Sequence, residues 1–374
     1  MSPPGVNVLG YLREAKGIGE AARLYATALR AAGVPVRTGA LDAGFSPSAG
    51  EEHVSIGDLE RSRAHPVDLV CLNPPELRRF LNDGGRLPGD GRRIGVWAWE
   101  VDLVPPEWAE IASELDEVWV YSRYVAEILG RALPVPVVVV PLPVVAPTVE
   151  SAPGAGEFTF LFLFDFHSTM ARKNPLGLIE AYRAAFSPGE GTRLVVKTFN
   201  GDHRPDDLGA LTAAAAGRPD VEIVDRYVSS EEKGRMLAGC GCYVSLHRSE
   251  GFGLTLAEAM ALGRPVVATG FSGNLDFMPP GAGYLTRWDP ARVGDGVKVY
   301  PAEATWADPD LGHAAELMRA AFDDRDEAAR RAARGRAYVR EHLSPEAVGV
   351  VARRRLELTA AEHRGGRFSK LLSR

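Results

Sequence analysis

The chain reads as an α/β protein of two Rossmann-like, doubly wound domains. Its 374 residues divide into two domains at the usual ~150 residues each. Short Val/Ile/Leu runs alternate with helical patterns through both halves, which is how parallel sheets covered on both faces appear in a sequence. A Pro/Gly-rich break at 141–157 separates the two alternations and has the composition of a linker.

In the first half, strands are expected at Val6–Leu12, Val34–Leu41, Val67–Asn73, Ile94–Trp99, Val118–Ser122 and Val135–Leu142. Gly19–Ala32 is a helix pattern, with Ala22, Leu24, Tyr25, Ala28 and Leu29 on one face. After the break, Phe158–Phe166, Leu194–Phe199, Val221–Val228, Cys242–His247 and Pro265–Thr269 are expected strands. Helical patterns fall at Asn174–Phe186, Ser230–Leu237, Leu254–Leu262 and Ala314–Phe322. Ser229 followed by Glu232 fits a capping box, and an Ala/Arg-rich helical region runs from about Asp326. The expected domains are 1–148 and 149–352, facing each other across a cleft. Ligands of such sheets bind outside the C-terminal strand ends and in interdomain clefts.

Composition narrows the function classes. With 45% hydrophobic and 25% charged residues, the chain has enough apolar surface for two cores and is not disordered. Its 40 Gly and 27 Pro are scattered, which excludes collagen-like and low-complexity readings. Forty-three basic against 49 acidic residues give a net charge of −6, so no global field attracts nucleic acid. Locally, Arg353–Arg374 carries seven Lys/Arg and two Asp/Glu, a net of +5. A solvated helix face with a loose tail explains that; contact with an acidic partner, or weak peripheral contact with an anionic membrane surface, is the functional alternative. Three cysteines, two of them in Cys240-Gly-Cys242, form neither a disulfide framework nor a CxxC pair. No apolar stretch approaches ~18 residues, and the N-terminus has no signal-peptide pattern. The expected compartment is the cytoplasm.

The most informative segment runs from Ser245 to Met260, SLHRSEGFGLTLAEAM. A strand ends near His247, a turn carries Glu250, Gly251, Phe252 and Gly253, and a helix begins near Leu254. Gly251 and Gly253 let a ligand approach the backbone. Free amides at the helix start favour an anion, for which phosphate is the natural candidate. Glu250 and Glu258 flank that position, each able to accept hydrogen bonds from hydroxyls. Singly, each is an ordinary helix carboxylate; with the glycines between them, they read as a site.

This segment resembles the Glu-x7-Glu signature of retaining glycosyltransferases of the GT-B fold, family-4 type. The stretches Gly263–Thr269, Ser272-Gly273-Asn274, Arg172-Lys173-Asn174-Pro175, Trp97-Ala98-Trp99-Glu100 and Glu117–Ser122 look like the same family, over about Gly95 to Ser344. The resemblance implies that Glu250 contacts the donor sugar and Glu258 the ribose. It also implies that Lys173, with Arg172, neutralises the diphosphate leaving group, where fixed cations stabilise developing charge. Cations at a helix start are disfavoured by the dipole, which itself suggests a bound anion. Many family members carry Arg six residues before this Lys; here His167 stands there, as a phosphate donor or a structural residue. By the same resemblance, Gly17 and Gly19 close over the donor phosphates, Gly251, Phe252, Gly253 and Leu254 line the donor site, and Trp99 and Glu100 lie near the acceptor. The last helix, about 353–374, returns to the first domain.

The implied substrate is a UDP-, GDP- or ADP-sugar. The acceptor is a sugar, lipid-linked or small molecule. No cofactor or metal is required. Asp308-Pro309-Asp310 has the Asp-x-Asp form used by metal-dependent GT-A transferases, but lies far beyond the donor motifs, and Pro favours the first turn of a helix there. Two other activities stay open. An NAD(P)-dependent oxidoreductase would use Gly17, Gly19 and Asp42, although five residues follow Leu12 before the pattern is under way. A GT-B sugar-nucleotide epimerase or hydrolase would share the fold and transfer nothing to an acceptor.

Overall fold

The computed structural model describes residues 3–14, 16–41, 54–55, 65–88, 91–147 and 156–372, with side chains described except at 54–55 and 359–372. The chain divides into two compact units. One comprises Met1–Ala98, Pro105–Val144 and Glu341–Arg374, the other Trp99–Val104 and Val145–Arg340.

The first unit is built on strands β1 (Val6–Gly10), β2 (Val36–Ala40), β3 (Val54–Ser55), β4 (Val67–Cys71), β5 (Arg92–Val96), β6 (Glu117–Val120) and β7 (Val137–Val139). They form one parallel sheet in the order β3-β2-β1-β4-β5-β6-β7. The order reverses beside β1, the mark of double winding. Every residue of β1 and β4 is buried, as expected for central strands covered on both faces. Two of those residues are polar, and they satisfy each other: Asn7 Nδ2 donates to Asp68 Oδ1 at 2.8 Å. Helices α1 (Gly17–Ala31), α2 (Pro74–Asn82), α3 (Glu107–Ala112) and α4 (Arg123–Ala132) accompany the sheet. The sequence patterns identify only the first of these. Helix α2 buries just Pro74 and Leu77, too few apolar residues for a periodicity to show.

In the second unit, β8 (Phe158–Leu163), β9 (Thr192–Thr198), β10 (Val221–Asp225), β11 (Cys242–Ser245), β12 (Val266–Thr269) and β13 (Tyr284–Thr286) make a parallel sheet ordered β10-β9-β8-β11-β12-β13. An antiparallel pair, β14 (Trp288–Arg292) and β15 (Thr305–Pro309), stands beside it in sequence. Its helices are α5 (Met170–Lys173), α6 (Pro175–Ala185), α7 (Pro205–Ala215), α8 (Ser230–Gly239), α9 (Leu254–Ala261), α10 (Leu311–Asp323) and α11 (Arg325–His342). An aromatic core fixes β8 to α6: Phe160 lies 6.0 Å from Tyr182 and 5.2 Å from Phe186 between ring centroids.

Two local expectations change. Pro309 does not open a helix; it ends β15 opposite Trp288, and Asp310 caps α10 by accepting from His313 N at 2.9 Å. Ser229 caps α8 through Glu232 N at 3.1 Å, but the Glu232 carboxylate pairs with Arg226, so the capping box is half formed.

The C-terminal helix α12 (Pro345–Leu372) belongs to the first unit. Val348, Ala352 and Leu356, four residues apart, are buried, and Gly349 lies so close to α1 that an added Cβ would sit 2.1 Å from Ala28 O. Arg355 of α12 and Arg92 of β5 both hold the fully buried Glu117, at 2.6 and 3.0 Å, and Trp119 Nε1 donates to it at 2.7 Å. Arg353 donates to Ala32 O at 3.0 Å. Two arginines of the basic C-terminal stretch are thus engaged within the fold. The first part of the 141–157 segment is packed: Leu142, Pro143 and Val144 are buried, and Val144 N donates to Leu343 O at 2.7 Å. Residues 148–155 of that segment lie outside the described residues.

Candidate functional site

The turn after β11 is held by a second turn, Phe271–Asn274. Buried His247 spans the two: its Nδ1 lies 3.1 Å from Ser245 Oγ, and its Nε2 lies 3.1 Å from Asn274 Oδ1. Burial pushes the His247 imidazole down from its ordinary pKa, so it is a neutral structural peg. The Glu250 amide donates to Ser272 Oγ at 2.8 Å, and its carbonyl accepts from Gly273 N at 2.9 Å. Only glycine fits at 273, because a Cβ there would meet Gly251 O at 2.3 Å. Gly253 adopts φ +95°, a left-handed conformation natural to glycine, and turns the chain into α9 at Leu254. Phe252 points inward and packs on Phe277 with centroids 4.9 Å apart.

The turn after β8 is stitched to the same place. Arg248 N donates to Arg172 O at 2.7 Å, Arg248 Nη1 to Ala171 O at 2.7 Å, and Asn174 Nδ2 to Leu246 O at 3.0 Å. Arg172 Nη1 reaches Ser249 O at 2.8 Å. These bonds bring both cations onto one carboxylate: Lys173 Nζ donates to Glu250 Oε1, and Arg172 Nη1 lies 3.2 Å from Glu250 Oε2. On its other side, Arg172 Nη2 lies 3.8 Å from Glu100 Oε1, and the Tyr300 hydroxyl donates to Glu100 Oε2 at 3.0 Å. Trp99 meets the Tyr300 ring edge-on at 5.3 Å between centroids. Asp102 Oδ1 accepts from Thr305 N at 2.6 Å, so the 99–104 segment is anchored in the second unit at both ends of its polar stretch.

Burial shapes the charges. It pushes the Glu250 carboxyl up, but Lys173 and Arg172 outweigh it and hold the group down at about 2. At Arg172, burial works against the charge, while Tyr300, Glu250 and Glu100 more than compensate and raise its pKa. Lys173 is lowered, chiefly by burial, with Glu250 opposing the fall. Burial, reinforced by Glu100, raises the Tyr300 phenol. Arg172 Nε is buried without a hydrogen-bond partner. The result is a compact ion cluster in which Glu250 and Glu100 balance two cations, a place where an incoming phosphate could exchange for a carboxylate.

The remaining expected residues are placed as follows. Glu258, in the second turn of α9, is buried and paired with Lys233 Nζ of α8 at 2.7 Å. His167 has partners within the second unit: its amide donates to Asp165 Oδ1 at 2.9 Å, its Nδ1 lies 3.1 Å from Asn200 Nδ2, and its ring stacks on His203. Gly17 and Gly19 belong to the first unit, in α1. Gly17 has open space where a side chain would be, whereas a Cβ on Gly19 would meet Tyr11 O at 2.3 Å; packing alone therefore requires glycine at 19. Asp42, the acidic residue of the dinucleotide alternative, lies outside the described residues. Among the described residues, no cluster of three or more His, Cys, Asp or Glu is arranged to hold a metal ion, and no helix is long and apolar enough to cross a membrane. The sequence patterns miss Tyr300 and Lys233. Tyr300 sits in an irregular stretch between β14 and β15 and carries no motif; Lys233 hides among the charges expected at a helix start.

Residues 157–298 match the family model described as Glycosyl transferases group 1. No curated protein sequence matches the chain. Among solved structures, sucrose-phosphate synthase from Thermosynechococcus elongatus is similar over 96% of this chain and 100% of that one, with a TM-score of 0.66 and 16% identity. Anabaena HepE in complex with UDP and glucose gives a TM-score of 0.66 at 13% identity, over 95% and 99%. A Staphylococcus aureus TarM variant in complex with fondaparinux, alpha-GlcNAc-glycerol and UDP gives 0.57 at 15% identity, over 77% of this chain; the chain spans only 55% of that relative's length. The chain therefore has the GT-B fold of two doubly wound units, and its second unit carries a domain that matches glycosyl transferases group 1.

Proposed function

We propose that the protein is a metal-independent, retaining glycosyltransferase that moves a hexose-type sugar from a nucleoside-diphosphate donor to an acceptor hydroxyl. One observation carries the reading: Arg172 and Lys173, adjacent in sequence, converge on the buried Glu250 at the turn leading into α9. Two cations gathered on one carboxylate beside a glycine turn suit a diphosphate that gains charge as it leaves. The similar structures of HepE and TarM, both in complex with UDP, support this reading.

In this mechanism, Lys173 and Arg172 bind the diphosphate, Glu250 orients the donor sugar through its hydroxyls, and Glu258 accepts from the ribose. The family resemblance assigns Gly17 and Gly19 to the donor phosphates, and Glu100 with Trp99 to the acceptor. The bond from the anomeric carbon to the diphosphate breaks as the acceptor oxygen bonds to the same face. The acceptor proton passes to the departing phosphate, so no separate base is needed. His167, given its partners in the second unit, ranks below Lys173 as a phosphate contact.

A thermal-shift screen with UDP, GDP, ADP and dTDP tests the reading. At about 100 times its Kd, a ligand specific to the native state adds about 2.7 kcal/mol, so one diphosphate should raise the melting temperature clearly. No response to any of the four, or a response to NAD alone, would overturn it. Product analysis with the corresponding sugar nucleotide, with and without acceptors, then separates transfer from epimerisation or hydrolysis. The anomeric configuration of the product by NMR tests retention.

A further inference from the structure

Glu258 is buried, and a carboxylate out of water is costly unless it is paired. Its Oε2 atom is enclosed and has no hydrogen-bond partner, while its Oε1 is held by Lys233 at 2.7 Å. The two groups come from different helices, α9 and α8, so the contact is tertiary and not a by-product of helix spacing. The Lys233 side chain is 29% exposed against 8% for Glu258, so the carboxylate is the more deeply buried partner. The backbone around Glu258 is fixed by the Gly253 turn and by burial of its neighbours Leu256, Ala257, Ala259 and Met260. What is left to set is the carboxylate's rotation, and an ammonium at 2.7 Å does that. An oxygen that accepts from a lysine retains a second lone pair for a hydroxyl.

We infer that Lys233 is a positioning residue for the donor: it holds the Glu258 carboxylate in the orientation that receives the ribose hydroxyls of a nucleoside diphosphate. The inference rests on the proposed transferase site. It assigns Lys233 an effect on the nucleotide's hydroxyls alone, with the diphosphate held by Arg172 and Lys173 regardless.

Isothermal titration tests it with UDP, GDP and ADP, each beside its 2′,3′-dideoxy counterpart, against the wild-type chain, Lys233→Met, Lys233→Arg and Glu258→Gln. For the base that binds, the wild type should prefer the ribo form by about tenfold or more, the scale of hydrogen bonds to a charged group. Lys233→Met should lose that preference while binding the dideoxy form as the wild type does, Lys233→Arg should restore most of it, and Glu258→Gln should weaken it. In turnover, Lys233→Met should raise the donor KM with kcat nearly unchanged. A Lys233→Met chain that keeps the full ribo preference overturns the inference, as does a wild type that binds a diphosphate with no ribo preference. Failure of the wild type to bind any of the three or dTDP overturns the site reading itself. Melting curves of all three variants identify a general loss of fold, and Lys233→Arg, which keeps the charge, decides the matter if Lys233→Met is destabilised.

Discussion

At Glu250 the cost of burying a charge and the attraction of two cations meet, and the cations win. The consequence is testable in both turnover and acid stability. Lys173→Ala and Glu250→Ala should each lower transfer turnover by ~10²-fold or more, the scale of a lost electrostatic stabiliser, measured by steady-state kinetics on chains with intact melting transitions. Near-wild-type rates in both would remove their assigned roles. The Glu250 carboxyl sits at about 2 in the folded chain, below its ordinary 4.5. A carboxylate lowered on folding contributes stability above its unfolded pKa, and that stability fades as pH falls through the folded one. The melting temperature of Glu250→Gln should therefore lie below wild type at neutral pH, with the gap narrowing between about pH 4.5 and 2. A gap independent of pH would show that the group is not ionised in the fold.

At the scale of elements, the site depends on two turns that must follow their strands in one particular way. The turn before α9 needs Gly253 at φ +95°, and its neighbour Gly273 admits no side chain beside Gly251 O. Gly253→Ala places a Cβ in a left-handed conformation and 3.0 Å from Leu256 Cδ1, for which a loss of about 1–2 kcal/mol is expected, read from denaturant unfolding. Unchanged stability would mean that the turn is free to adopt another conformation. The turn at α5 is secured by Asn174, which stands at φ 53° and caps α6 by accepting from Gly177 N. The left-handed Asn174 lets α5 end and α6 begin within one residue, leaving Lys173 at the junction with its ammonium on Glu250.

At the scale of the whole molecule, the chain enters the second unit at Trp99, leaves it at Pro105, re-enters at Val145 and leaves again at Glu341. The first unit therefore includes the last segment of the chain, and the first part of α12 packs into its core through Val348, Ala352 and Leu356. Truncation before Arg353 removes the buried Leu356 and the Arg355 contact to Glu117. A loss of about 3 kcal/mol or more is expected from the apolar burial and the charged hydrogen bonds together, seen as a lowered melting temperature or failure to accumulate folded protein. A truncated chain of full stability would assign α12 no structural part.

The two parallel sheets were legible in the chain itself, because a strand buried on both faces is mostly apolar, and β1, β4, β8 and β11 are, with only Asn7, Asp68, Thr159 and Ser245 as polar exceptions. So was the turn carrying Glu250, since a strand-to-helix turn through a left-handed residue calls for glycine, and Gly253 supplies it. Short helices such as α2 and α4 were not legible, because a few buried residues make no period. The partners of the charged residues were decided only by the tertiary structure. Nothing in the sequence joins Lys173 to Glu250 across 77 positions, Glu100 to Tyr300 across 200, or Lys233 to Glu258 from a separate helix. Backbone pattern is a local property read along the chain, whereas the pairing of buried charges depends on which strand ends the sheet brings side by side.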